Sequence, residues 1–425
     1  MIALIIIIFV LGYAAIALEH SIKINKAATA LVTGVLCWTV YILFSPDKHI
    51  VSDELTHHLG EFSGILFFLI GAMTIVELID LHDGFDIITK RISQTDIRKL
   101  LWIIAFITFF LSAILDNLTS TIVIISLLRK LIQNQKDRLF FAGIVVVAAN
   151  AGGAWSPIGD VTTTMLWIGG QITAVNIIAK LILPSLICIA VPLIFLSFKL
   201  KGKIERPVID INDKPISGKQ QSIVFFSGVI ILVLVPVFKT LTHLPPYMGI
   251  LIGLGILWII TEIIHGKKDE EDKNNLSVVS ALRKIDTPSI LFFLGILMSI
   301  SALQSIGILN QLSLWLTVTF HNDNMVIILI GLLSSIVDNV PLVAAVQGMY
   351  DLNQYPTDHY FWEFLAYCAG TGGSVLIIGS AAGVAAMGME KINFFWYLRK
   401  ISFLALLGYL AGAITYILQH QILGL

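Results

Sequence analysis

Two stretches of the sequence place an aspartate–asparagine pair in the middle of an apolar run. The segment LSAILDNLTSTIV carries Asp116 and Asn117, and LSSIVDNVPLVAA carries Asp338 and Asn339. A carboxylate at membrane depth is costly, so it usually faces a protein interior or an ion path. One such pair in each half of the chain predicts a transporter built from an internal repeat, with its site where the repeats meet.

Further polar residues lie in two glycine-rich tracts, each of which follows one of these pairs. Residues 150–164 (NAGGAWSPIGDVTTT) contain Asp160, and residues 370–383 (GTGGSVLIIGSAAG) contain Ser374. Glycine and proline interrupt helices, so each tract predicts a discontinuous helix with free backbone groups near its break. Close helix packing is an alternative explanation for Gly379 and Gly383.

The polar side chains of these segments form the candidate site. Carboxylate, amide and hydroxyl oxygens suit hard cations, whereas a dicarboxylate or phosphate site needs Arg, Lys or helix N-termini. No Lys or Arg is expected in the core of either half. We therefore predict that Asp116, Asp160 and Asp338 bind Na⁺ and that protons compete for the same oxygens. The full set of candidate cation and proton ligands is Asp116, Asn117, Thr119, Asn150, Asp160, Thr163, Asp338, Asn339 and Ser374, with Glu77 and Ser380 as weaker candidates.

The composition is that of an all-α, polytopic membrane protein. Apolar residues make up 57% of the chain and charged residues 13%, about half the charged content of soluble domains. The net charge of −1 gives no electrostatic case for nucleic acid. No glycine loop for nucleotides, no cofactor motif and no nucleophile–base pair is evident, so we expect neither nucleotide nor cofactor use, and no enzyme.

The distribution of Lys and Arg predicts the orientation of the spans, because basic loops stay in the cytoplasm. It places both termini outside a bacterial inner membrane. The expected spans are 2–18, 27–44, 62–81, 139–170, 176–198, 220–238, 247–265, 287–303, 360–389 and 401–418.

Two apolar segments do not fit this alternation. Residues 100–128 have basic residues on both flanks, and residues 325–350 have none on either flank. A segment with the same charge signature at both ends is expected to enter and leave on one side, as a re-entrant helical hairpin. The alternative for residues 100–128 is one long, tilted span with an aspartate in mid-membrane.

The repeat and its breaks predict the domain organisation. Residues 62–198 form the first inverted repeat, with a hairpin at about 100–128 and a broken helix at 139–170. Residues 287–425 form the second, with a hairpin at about 325–350 and a broken helix at 360–389. Residues 1–61 are N-terminal scaffold helices, 199–219 a cytoplasmic linker, and 220–286 linking helices and a loop.

Four motifs in this order resemble the NhaD-type sodium/proton antiporters of the ion transporter superfamily: FFLIGAMTIVELID, ILDNLTSTIV, NAGGAWSPIGDVTTTMLW and SSIVDNVPLVAA. The resemblance implies a dimerising scaffold and a mobile transport domain that holds two re-entrant hairpins and two discontinuous helices. It also implies export of Na⁺, and often Li⁺, in exchange for protons. The matching polar positions are Asp116, Asn117, Thr119, Asn150, Asp160, Asp338 and Asn339, with Ser374 in the glycine-rich tract.

Three alternative functions are compatible with these patterns. A carrier for an organic or arsenite-type anion would keep the same fold, although the related dicarboxylate carriers have Ser-Asn-Thr hairpin tips where this chain has Asp-Asn. An ion channel would not need two gated hairpins. Against a membrane enzyme, the sequence shows no motif that pairs a nucleophile with a base, and the deep acids have no histidine nearby.

Overall fold

The structure is a computed structural model that describes residues 1–89, 91–200, 202–205, 217–266, 274–320 and 322–423. These residues are nearly all helical, as the composition predicts. The helices in chain order are Ile2–Ala17, Glu19–Ile22, Lys26–Phe44, Lys48–Leu81, Asp86–Thr89, Ile97–Ser112, Asn117–Leu131, Gln135–Ala154, Val161–Ile168, Ala174–Lys199, Gly218–Thr242, Pro246–His265, Val278–Lys284, Thr287–Ser305, Ile308–Phe320, Asp323–Leu333, Asn339–Met349, Tyr360–Gly372, Ala381–Glu390, Phe394–Tyr397 and Phe403–Leu423, the last two joined by the π-helical turn Leu398–Ser402.

Eight of the described helices are long and apolar enough to cross a membrane. Their outward faces carry large apolar side chains such as Phe198, Leu241 and Ile263, each at least 75% exposed. Apolar patches of this extent are rare on soluble monomers, whereas lipid solvates them well. The chain is therefore a multi-pass membrane protein.

Both predicted hairpins are present as pairs of helices joined by a short break. The first hairpin consists of Ile97–Ser112 and Asn117–Leu131, and the second of Asp323–Leu333 and Asn339–Met349. In each half, both limbs of the hairpin pack against the first limb of the broken helix that follows it. Residues 100–128 are not one continuous helix, because one helix stops at Ser112 and the next begins at Asn117.

Both predicted broken helices are also present. The first runs over Gln135–Ala154 and Val161–Ile168, and the second over Tyr360–Gly372 and Ala381–Glu390. In both, non-helical residues separate the two limbs, so backbone groups at the break are free for other partners.

The two halves repeat the same contacts between hairpin and broken helix. The Ser112 hydroxyl donates to the Ala149 carbonyl over 2.6 Å, and the Ser334 hydroxyl donates to the Ala369 carbonyl over 2.9 Å. Each serine lies at the end of the first limb of its hairpin. These matched bonds are the structural counterpart of the repeat that the sequence motifs predict.

Glycines bring the hairpin backbone against the broken helix in both halves. A Cβ at Gly152 would lie 2.2 Å from the Phe109 carbonyl oxygen, and one at Gly372 would lie 1.9 Å from that of Gly331. Backbone atoms cannot retreat as a side-chain tip can, so only glycine fits at these two positions.

We expect Gly152→Ala and Gly372→Ala each to destabilise the protein by about 1–3 kcal/mol or more, since the added methyl overpacks the contact. The measurement is the melting temperature of the purified variants in detergent. Gly388→Ala is the matched control, because a Cβ there meets nothing within 4 Å. Equal melting temperatures for all three variants would contradict this explanation of the glycines.

Two sequence predictions of helix bounds need correction, and one helix was not predicted. The predicted span 62–81 is the second half of a helix that begins at Lys48, where the Asp47 carboxylate caps the first turn. Hydropathy marks only the apolar half of such a helix. Helix Ile308–Phe320 was not predicted, and the last span extends over residues 394–423 instead of 401–418.

Part of the predicted linker lies outside the described residues. This applies to residues 201 and 206–216 of the linker 199–219, and to residues 267–273 of the loop predicted within 220–286.

Candidate cation site

Four helices begin around the centre of the molecule, and their N-caps are residues of the predicted site. Each cap side chain accepts a hydrogen bond from a backbone N–H in the first turn that follows. The caps and their donors are Asp116 with Thr119, Asp160 with Thr162, Asp338 with Val340, and Ser380 with Gly383. The positive ends of the helix dipoles thus favour the charged form of the three carboxylates.

Asp116, Asp160 and Asp338 line one cavity of about 60 Å³. Asn117 and Asn339 also line it, next to the caps that precede them. This volume holds about one or two water molecules, so it also suits a small, partly dehydrated cation. The structure therefore brings together the three aspartates that the sequence selected from distant segments.

An amide network links the two halves beside this cavity. The Asn117 amide donates to the Asn150 carbonyl oxygen over 3.0 Å, and the Asn150 amide donates to the Ser380 hydroxyl over 2.9 Å. The Asn339 amide donates to Asp160 Oδ2 over 2.9 Å. In these bonds the amide nitrogens of all three asparagines act as donors, and the network connects residues of both halves.

Asp116 has a strained backbone. Its φ of 132° lies in a region that side chains rarely adopt, whereas Asp338 at the corresponding tip has a φ of −51°. The Asp116 carboxylate accepts from both the backbone N–H and the hydroxyl of Thr119, over 2.7 and 2.8 Å. Strain of this kind persists where surrounding contacts over-determine it, often at functional sites.

Lys26 enters this cavity, which corrects the prediction that the core holds no Lys or Arg. Its ammonium group lies 2.8 Å from Asp338 Oδ2 and 4.3 Å from the ring centre of Phe292. Helix Lys26–Phe44 begins at this residue, so a side chain just outside the predicted span 27–44 extends to the tip of the second hairpin. Nothing in the sequence indicates this pair, because 312 positions separate Lys26 from Asp338.

Among the described residues that line the cavity, Lys26 is the one cation. Three carboxylates against one ammonium leave a formal charge of −2 when all four groups are ionised. A second cavity of about 80 Å³ shares Lys26 and Asp338 with the first. The ion pair therefore lies where the cavity of the three aspartates, which we call the deep cavity, meets this second cavity.

Six predicted ligands do not line the cavity. Thr119 bonds to Asp116, and Asn150 bonds to Asn117 and Ser380, as described above. The other three are Thr163, Ser374 and Glu77. The hydroxyls of Thr163 and Ser374 donate to backbone carbonyls of Asp160 and Thr371, so both are engaged locally. Glu77 lies near the end of its helix, where its carboxylate is 4.0 Å from the Lys284 ammonium. Thr164, by contrast, lines the cavity and was not selected.

Two further buried acids are neutralised elsewhere. Glu363 lies 3.3 Å from the Lys180 ammonium. Glu390 lies within 3.0 Å of guanidinium nitrogens of both Arg129 and Arg138. Their pairing with basic side chains leaves Asp116 and Asp160, for which the described residues show no ion pair, as the better candidates for ion exchange.

The comparisons with known proteins agree with these features. A profile described as "Citrate transporter" matches residues 3–370. The chain is 50% identical to "Sodium/proton antiporter 1" of Arabidopsis thaliana, over 98% of this chain and 72% of that protein. It is 48% identical to "Sodium/proton antiporter 2" of the same plant, over 98% of this chain and 99% of that protein.

A bacterial relative and a solved structure extend this result. "Na(+)/H(+) antiporter NhaD" of Alkalimonas amylolytica is 30% identical, over 96% of this chain and 88% of the relative. The crystal structure of the Alcanivorax borkumensis YdaH transporter, described as having an unusual topology, matches with a TM-score of 0.59 at 11% identity. That match covers 89% of this chain and 90% of the other, and it shows a shared fold. The chain therefore belongs to the family that the citrate transporter profile describes. Its relatives include NhaD sodium/proton antiporters, as the four motifs predict.

Proposed function

We propose that this protein is a secondary transporter of the inner membrane that exchanges Na⁺, and also Li⁺, for protons. The observation that carries the proposal is the small cavity in which Asp116, Asp160 and Asp338 meet beside two asparagine amides. Oxygen ligands of this kind bind hard cations. The printed names of the plant and bacterial relatives support the same exchange.

We propose that Na⁺ and protons compete for the carboxylates of this cavity. Asp116 and Asp160 would bind Na⁺, and Asn117 and Asn339 would supply neutral oxygens. Asp338 would complete the site once Lys26 leaves it. Protons arriving from the opposite side would neutralise the same groups and release Na⁺, so that one ion is exchanged for the other.

We propose alternating access as the mode of transport. Apart from Lys26, two groups of residues line the cavity: those on helices Lys48–Leu81 and Thr287–Ser305, and those at the hairpin tips and helix breaks. The first group would be the scaffold, which the family resemblance also assigns to a homodimer interface, and the second the mobile part. Uncompensated carboxylates are too costly to move through hydrocarbon, so movement would require bound Na⁺ or protons.

Citrate is the second candidate substrate, because the matching family profile carries its name. The charge of the cavity speaks against it. Lys26 is already paired with Asp338, and the other two carboxylates would repel a tricarboxylate. An anion site would need free cationic donors.

The test is exchange by the purified protein in liposomes with an inside-acid pH gradient. External Na⁺ or Li⁺ should collapse the gradient within the time course of carrier turnover, while choline should leave it intact. Collapse with citrate but not with Na⁺ would replace this proposal by anion transport.

A further inference from the structure

A larger cavity of about 380 Å³ lies next to the candidate site, toward the face predicted to be extracellular. It is not part of the site described above, because none of the three aspartates lines it. Its residues are His58, Glu61, Phe62, Ile65, Met165, Ile168, Gly169, Gln171, Leu297, Ile300, Ser301, Gln304, Ala344, Gln347 and Gly348. We call it the outer cavity.

The outer cavity and the deep cavity are lined by the same four helices. On helix Lys48–Leu81, Leu69 lines the deep cavity and Ile65 the outer one; on Thr287–Ser305, Phe293 lines the deep cavity and Leu297 the outer one. Each step is four residues, which is about one helical turn or 6 Å.

The other two helices repeat this step. On Val161–Ile168, Val161 lines the deep cavity and Met165 the outer one; on Asn339–Met349 the corresponding residues are Val340 and Ala344. The two cavities are thus stacked along these four helices, and an apolar layer lines the outer cavity at the turn next to the deep cavity. This layer, which we call the outer barrier, consists of Ile65, Met165, Leu297 and Ala344, all buried.

Beyond the outer barrier, polar side chains line part of the outer cavity. The Gln347 amide donates to the Met165 carbonyl over 3.3 Å and lies 2.9 Å from the amide of Gln171. Glu61, whose side chain is 57% exposed, lies between the rings of His57 and His58 at 3.4 and 3.2 Å. Neutral amides with one exposed carboxylate suit a cation that still carries most of its water.

We propose that the outer cavity is the outer half of the ion path, and that the outer barrier is what closes the site to that side. The inference rests on the proposed function and adds a route and a gate to it. Two of the four helices belong to the proposed scaffold and two to the proposed mobile part. A relative shift of these pairs would part the four apolar side chains and join the two cavities.

The test uses single cysteines and a membrane-impermeant, positively charged thiol reagent. The native Cys37, Cys188 and Cys368 are buried, so the natural background is suitable. Gln304→Cys and Gln347→Cys place a thiol in the outer cavity. Asn353→Cys is the matched control, since it is exposed and lies outside the cavity.

We expect all three to react from the extracellular side in oriented liposomes. Labelling at the two cavity positions should slow Na⁺/H⁺ exchange by about tenfold or more, because a fixed positive charge repels the passing cation. Labelling of Asn353→Cys should leave the rate unchanged. If exchange is present and stays unaltered after full labelling of both cavity variants, the proposed path is overturned while the proposed function stands. If the protein shows no exchange before any substitution or labelling, the proposed function is overturned instead.

Ala344→Cys tests the barrier. It should react about tenfold more slowly than Gln304→Cys at rest, since little of this position is open to solvent. Its reaction should accelerate when Na⁺ and a pH gradient drive turnover. Reaction as fast as that of Gln304→Cys at rest would show that no closed barrier exists at this layer.

Discussion

Asp160→Asn should abolish Na⁺-dependent proton movement while the protein remains folded and inserted. Asparagine keeps the shape of the side chain and an oxygen that can cap helix Val161–Ile168. It removes the charge that would attract Na⁺ and the group that would bind a proton. We expect the exchange rate to fall by about 100-fold or more, because bonds to charged groups contribute about 1.5–3 kcal/mol.

The measurement is the initial rate of gradient collapse in liposomes at equal protein content. Asp53→Asn, at an exposed position on helix Lys48–Leu81, is the control for a lost surface carboxylate and should retain the normal rate. Asp116→Asn should behave as Asp160→Asn does. Exchange at the normal rate by the folded Asp160→Asn protein would remove this carboxylate from the mechanism.

Lys26→Ala should increase the apparent affinity for Na⁺ and lower the maximal rate of exchange. The ammonium group occupies Asp338 at 2.8 Å, so Na⁺ must displace it to gain that carboxylate. Without this competitor we expect the KM for Na⁺ to fall by about tenfold, a change of about 1.4 kcal/mol. The turnover should fall because release of Na⁺ then lacks the returning ammonium.

The split between KM and maximal rate distinguishes this role from a structural one. If the ion pair only held helix Lys26–Phe44 against the second hairpin, Lys26→Ala would lower the melting temperature and leave the KM of the surviving protein unchanged. Lys26→Arg is the conservative comparison, since it keeps the charge with a different shape. An unchanged KM in Lys26→Ala would refute the competition between Lys26 and Na⁺.

Much of the fold was predictable because the membrane makes certain features costly. Asp116 and Asp338 stand out in apolar runs, and the matching flanks of each run predict hairpins, which the structure confirms. The breaks were visible for a similar reason, because Pro157 and neighbouring glycines cannot continue a helix. The carboxylates of Asp116, Asp160 and Asp338 are tolerated in these apolar segments because each caps the N-terminus of a helix.

The pairings across the molecule were not predictable from the sequence. Lys26 resembles any basic residue at the end of a span, and its contact with Asp338 depends on the depth at which its helix begins. The bond between Asn150 and Ser380 likewise requires knowing that the two broken helices meet. Helix Ile308–Phe320 is too short for the length rule that identifies spans.

The count of protons released when Na⁺ binds tests the central claim most directly. Purified protein in detergent and weak buffer would be mixed with NaCl at near-neutral pH, with choline chloride as the control, while a dye reports pH. The account predicts that Na⁺ releases protons, that choline does not, and that a combined Asp116→Asn and Asp160→Asn protein releases none. Na⁺ binding detected by calorimetry without any proton release would contradict competition at these carboxylates, as would unchanged release from the double variant.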